Sequence, residues 1–169
     1  MNNKIKYGVA ILLSTIIVIA VYFGLGGAEP LVFEKETKTV LKVYGQPFQG
    51  KYKDPRIEKL FVEARQFAID NEDATLAIIN YDTTDEDSVK QFIGFISDKD
   101  YSQMFVEMKE VTFVKAKINS HNLVMPRPDK VLEEATDFAE QNGLKLDDLS
   151  IEIYYKESDL EVLFPCKAE

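Results

Sequence analysis

One cysteine, one histidine and eight glycines are scattered through the 169 residues. The lone Cys166 excludes an intrachain disulfide, so cysteine usage neither supports nor opposes an oxidising compartment. With no histidine near it in sequence, it reads as a small packed side chain and not as a nucleophile. His121 by itself gives a Ser-His-Asp triad or a histidine-rich metal site little to draw on. No glycine-rich loop that could cradle a phosphate occurs. The acidic run Asp82, Asp85, Glu86 and Asp87 lacks the spacing and central glycine of an EF-hand, so it reads as a solvated turn. Neither a metal nor a cofactor is expected.

Basic residues are also in deficit, with 20 Lys and Arg against 29 Asp and Glu. Setting aside Lys4, Lys6 and Glu29 leaves 18 basic and 28 acidic residues beyond Pro30, a formal charge of −10. Such a surface repels phosphates, so nucleic acid is not an expected partner. It equally disfavours lying flat on anionic lipid.

Against these absences stands one long apolar run. Gly8 to Leu25, GVAILLSTIIVIAVYFGL, holds no charged residue and follows Lys4 and Lys6. With Tyr7 and Gly26 it reaches the ~20 residues that a membrane-spanning helix requires. A secretory signal peptide ending at Gly26-Gly27-Ala28 is the alternative, but an apolar signal core is usually about 7 to 15 residues and this run exceeds that. No cysteine follows, so lipoprotein processing is not indicated. The expected organisation is a short tail over 1–6, a transmembrane helix over 7–26, a linker over 27–38 and one domain over 39–167. Lys4, Lys6 and the amino terminus on one side, with Glu29 and Glu34 on the other, place the N-terminus in the cytoplasm and the domain outside.

Two amphipathic helices are legible in the domain. Asp54 offers an N-cap and Pro55 a first helical residue, followed by Ile57, Leu60, Phe61, Ala64, Phe67 and Ala68 on one face. From Pro126 a second helix carries Val131, Leu132, Ala135, Phe138 and Ala139, with Gly143 as its stop. Strand character covers Thr39 to Tyr52, Leu76 to Tyr81, Gln91 to Ile96, Glu110 to Ile118, Ser150 to Tyr155 and Glu161 to Phe164. The order strand, helix, strand, strand is thus written twice. Ala77 to Asp85 laid over Ile151 to Asp159 matches Ile79 with Ile153, Tyr81 with Tyr155 and Asp85 with Asp159, which supports a duplication.

The expected fold is α+β: tandem βαββ units forming an antiparallel sheet with two helices on one face and a central groove. Alternation along Ile151-Glu152-Ile153-Tyr154-Tyr155 sets the isoleucines against Glu152 and Tyr154. If the isoleucines face the helix, Glu152 and Tyr154 face the groove, with Ile78 and Asn80 as their counterparts. A carboxylate, a phenol and an amide among apolar neighbours suit a small-molecule site.

The stretch LAIINYDTTDEDSVKQFIGFI from Leu76, the Leu123-Val124-Met125-Pro126 approach to the second helix, the Glu152-Ile153-Tyr154 triplet and the final Leu163-Phe164-Pro165 resemble the GyrI-like effector-binding domains. The resemblance spans Thr39 to Lys167. It implies two βαββ units of the SHS2 type with a ligand groove between them, in which Glu152 meets cationic or apolar ligands beside aromatic walls. Tyr154, Tyr81 and Asn80 match groove positions. An anchor before such a domain is also the layout of animal testis-expressed endoplasmic-reticulum receptors for selective autophagy. The disordered tail that carries their role has no counterpart in this sequence, so only the architecture is carried over. The expected function is therefore non-enzymatic binding of a small molecule at a membrane, with a small hydrolase using Glu152 or a protein-binding scaffold as alternatives.

Overall fold

The computed structural model describes residues 3–27, 29–83, 85, 87–120, 124–155 and 159–167. Ala28, Glu86, His121 and Leu123 lie outside the described residues. The elements run α1 (Asn3–Gly24), β1 (Val32–Lys51), α2 (Pro55–Asp70), β2 (Ala74–Tyr81), β3 (Ser88–Ser97), β4 (Phe105–Ile118), α3 (Pro128–Gln141), β5 (Leu149–Tyr154) and β6 (Leu160–Pro165). Taken over the described residues alone, no helix is long and apolar enough to cross a membrane.

After α1 the order strand, helix, strand, strand occurs twice, and the pairing repeats with it. In the first half β3 lies between β1 and β2; in the second, β6 lies between β4 and β5. The halves join where β2 and β5 run antiparallel, with Ile78 opposite Glu152 and Asn80 opposite Ser150. They join again where β1 pairs with β4 from Val32 to Tyr44.

That second seam corrects the expected open sheet: six antiparallel strands close into a barrel. All six supply its interior, through Leu41, Val43, Ala77, Ile79, Phe92, Phe113, Ile151, Ile153 and Leu163. Closure removes sheet edges and buries one face of every strand. β1 begins at Val32, so most of the expected linker is strand. Its charged residues pair across the seam: Lys115 lies 2.8 Å from Glu34 and 2.7 Å from Glu36, and the Thr37 and Thr112 hydroxyls are 3.0 Å apart.

Two backbone features let the barrel turn. Glu110 has a φ of 52°, and the face that β4 presents changes there. Odd-numbered Val111 and Phe113 and even-numbered Val106 and Met108 consequently all pack on the interior. Where β1 leaves β4 for β3, Gly45 pairs with Gly94. A Cβ on Gly94 would lie 1.8 Å from the Tyr44 carbonyl oxygen, and one on Gly45 2.2 Å from that of Ile93. Glycine at this corner admits a backbone approach that any side chain would block.

Both domain helices pack outside the barrel. α2 starts at Pro55, capped by Asp54, whose carboxylate accepts from the Arg56 backbone N–H at 2.9 Å. It lays Ile57, Leu60, Phe61 and Ala64 on Phe48, Ile78, Val89 and Ile93. α3 starts at Pro128, two residues later than Pro126. Arg127 before it is extended at φ −67°, ψ 145°, the conformation a following proline favours. α3 lays Val131, Ala135 and Ala139 on Val114, Ala116, Ile118, Leu160, Val162 and Phe164.

Candidate functional site

The isoleucines of β5 do not face the helices. Ile151 and Ile153 point into the barrel and are fully buried. By alternation, Glu152 and Tyr154 therefore lie on the outer, helix-bearing face. The parity of the strand holds, and the side that carries the helices is reversed. Tyr154 packs against both the α2 and the α3 clusters, which places it between the two helices. The Phe61 ring of α2 stands edge-on to it, centroids 6.3 Å apart at 90°.

Three strands contribute to the polar row beneath. Gln91 of β3 donates through Nε2 to Asn80 Oδ1 at 2.7 Å, and Asn80 of β2 donates through Nδ2 to Glu152 Oε1 at 3.0 Å. The Tyr154 hydroxyl donates to Glu152 Oε2. Asn80 and Gln91 are direct cross-strand partners, so the sheet register itself sets their alignment. All four side chains are part-buried. Burial, then the charge of Glu152 and its hydrogen bond, push the Tyr154 phenol well above its ordinary value, so it remains a donor.

The result is a carboxylate whose partners among the described residues are all neutral. Among the described residues no lysine or arginine pairs with Glu152, although the chain forms many ion pairs elsewhere. A partly buried charge held by dipoles alone, with aromatic and apolar side chains beside it, is arranged to attract a positive ligand.

Of the sequence-predicted residues, the structure brings Glu152, Tyr154 and Asn80 together. It does not bring Tyr81 to them. Tyr81 follows Asn80 on β2 and points the other way, onto the interior cluster, with Lys90 Nζ 5.1 Å from its ring centroid. Its phenol is raised by burial. Sequence reasoning missed Gln91 and took Phe61 as ordinary core. Alternation places Gln91 on the face opposite Phe92, but only the β2–β3 register sets it beside Asn80.

Two open hollows lie away from this row. One, beside α2, is walled by Leu60, Ala64, Phe67, Ile93 and Phe95, and its only carboxylate, Glu63, is exposed and faces Lys59 at 3.8 Å. The other is a polar hollow at the turn between β2 and β3, with Asp82, Asp85, Lys51 and Lys90 on its walls. Neither holds an unpaired charge against apolar walls, so the chemistry favours Glu152.

No family model matches the sequence, and no curated protein matches it. Solved structures do share the fold. SAV2435 bound to tetraphenylphosphonium matches with a TM-score of 0.54 at 9% identity, over 81% of this chain and 94% of that one. The EcmrR C-terminal domain matches at 0.51 and 14% identity, over 82% and 99%. EcmrR in a complex with DNA matches at 0.51 and 13%, over 98% and 69%. A hydrolase from Listeria innocua matches at 0.50 and 14%, over 80% and 91%. Identities this low establish likeness of fold alone, and that fold agrees with the GyrI-like architecture.

Proposed function

We propose that this chain is a GyrI-like effector-binding protein that takes a bulky apolar cation at Glu152, held at a membrane by α1. The observation that carries the binding role is the part-buried Glu152, bonded among the described residues by neutral Asn80 and by Tyr154, whose ring packs on both helix clusters. A cation ~4 Å from a carboxylate near a protein surface gains on the order of 4 kcal/mol before desolvation is subtracted. The tetraphenylphosphonium bound by SAV2435, which shares the fold, belongs to this ligand class. Hydrolysis through Glu152 has less support, because among the described residues no histidine or second carboxylate touches it.

Titration of the full chain with tetraphenylphosphonium, followed by calorimetry, tests the reading. Wild type binds, and Glu152→Gln, which keeps the shape and removes the charge, loses at least tenfold in affinity. Equal affinity in the two proteins sinks it.

Sequence and exposure support the anchor. α1 carries nearly all of the uncharged run from Gly8 to Leu25. Ile11, Leu12, Leu13, Ile16, Ile17, Val18, Ile19 and Val21 are each at least 50% exposed, an arrangement that water penalises and lipid does not. The positive-inside tendency then sets the domain on the outer side. Alkaline washing of membranes should leave the chain in the pellet, and protease added outside intact spheroplasts should degrade the domain. Release by the wash, or full protection of the domain, refutes the respective half of this placement.

A further inference from the structure

The binding role proposed above leaves open which cations Glu152 accepts, and its hydrogen bonds bear on that choice. Each carboxylate oxygen already receives a donor. Oε1 takes the Asn80 amide, whose orientation Gln91 fixes at 2.7 Å from the next strand. Oε2 takes the Tyr154 hydroxyl. Neither donor is easily moved. Asn80 and Gln91 are locked in register between β2 and β3, and the Tyr154 ring is wedged between the α2 and α3 clusters with Phe61 edge-on to it.

We infer that Tyr154 and the Gln91–Asn80 pair make Glu152 selective for quaternary onium cations over protonated amines of the same size. Occupied oxygens still present their negative charge, which a cation without N–H groups can use at contact distance. A protonated amine must in addition satisfy its N–H after leaving water. One of the roughly two acceptor positions on each Glu152 oxygen is already filled, so the amine must share those oxygens with Asn80 and Tyr154, and a donor left with a poor partner is costly. Selectivity of this kind rests on an unfavourable outcome for the wrong ligand as much as on attraction for the right one.

The inference rests on the reading of Glu152 as a cation site, and the test separates the two. The probes are benzyltrimethylammonium and protonated benzyldimethylamine, which differ by one methyl in place of one hydrogen. Full-length wild type is titrated with each at neutral pH, with the Glu152→Gln titration subtracted for partition into detergent. Wild type should prefer the quaternary ion by about tenfold, the size expected for one unsatisfied donor. Tyr154→Phe keeps the ring and its packing but frees Oε2, so the amine should gain until the preference is gone or reversed. Gln91→Met, which releases the Asn80 amide, should narrow the preference in the same direction. Equal binding of both probes by wild type, or a preference unchanged in both variants, overturns the inference. Binding that survives Glu152→Gln unchanged overturns the underlying cation site instead.

Discussion

The ring of Phe61 meets the ring of Tyr154 edge-on, 6.3 Å between centroids and at 90°, so the helix α2 rests directly on the residue that holds Glu152. Edge-to-face pairs favour this geometry because the ring edge is positive and the face negative. Removing the Phe61 ring should therefore loosen both the helix and the carboxylate. Phe61→Ala is expected to cost about 2 kcal/mol in denaturant unfolding, below the range for fully buried phenylalanines because Phe61 is only part-buried. It should also weaken tetraphenylphosphonium binding, whereas Phe61→Leu should lose less of both.

The Gly45–Gly94 corner gives a sharper test of the fold. A Cβ on Gly94 would sit 1.8 Å from a backbone oxygen, and no rotamer relieves a clash with backbone. Gly94→Ala should destabilise by about 3 kcal/mol or abolish soluble expression. Gly24→Ala at the end of α1, where nothing lies within 4 Å of the added atom, should leave the melting temperature unchanged.

Ile153 tests the reversal of the helix-bearing side. It is fully buried inside the barrel, remote from both helix clusters. Ile153→Ala should cost 2 to 5 kcal/mol by about the usual rule for buried aliphatics, while Leu132→Ala, on the exposed side of α3, should cost less than about 0.5 kcal/mol. Comparable losses at the two sites would contradict the described packing.

The helices and the twofold repeat were legible because local signals fix them: Asp54-Pro55 starts α2, and apolar spacing marks the faces of α2 and α3. Closure was not legible. The first third of β1, Val32 to Lys38, is dominated by charges whose partners on β4 lie more than 70 residues away, so no apolar alternation marks it as strand. β4 hid its first residues for a different reason, since the positive φ of Glu110 breaks the period of two that identifies a strand. At the candidate site, parity put Glu152 and Tyr154 on one face. Which face bears the helices depends on closure, whereas Tyr81 enters the site only through the family resemblance, and alternation sets it on the face opposite Asn80. Gln91 depends on register, which single-strand patterns do not encode.

Acid should release the loop that follows β3 before it unfolds the barrel. Asp73 accepts from Lys99 Nζ at 3.0 Å, the Ser97 hydroxyl at 2.9 Å and the Tyr101 hydroxyl at 2.9 Å. Those bonds, that from Lys99 first, hold its carboxyl down at about 2. A carboxyl whose folded value lies below the unfolded one, about 3.9, stabilises the fold above that unfolded value and loses the contribution as pH falls toward 2. Asp54 is likewise held at about 2, chiefly by the Arg56 side chain, so the cap of α2 weakens in the same window. Amide exchange at Ser97 to Tyr101 and in the first turn of α2 should therefore accelerate between about pH 4 and pH 2, ahead of exchange at Ile79 and Ile153. Asp73→Asn should remove most of the pH dependence at Ser97 to Tyr101 and leave that of α2 in place. Acceleration of all four regions together would show that the carboxylates act only through global unfolding.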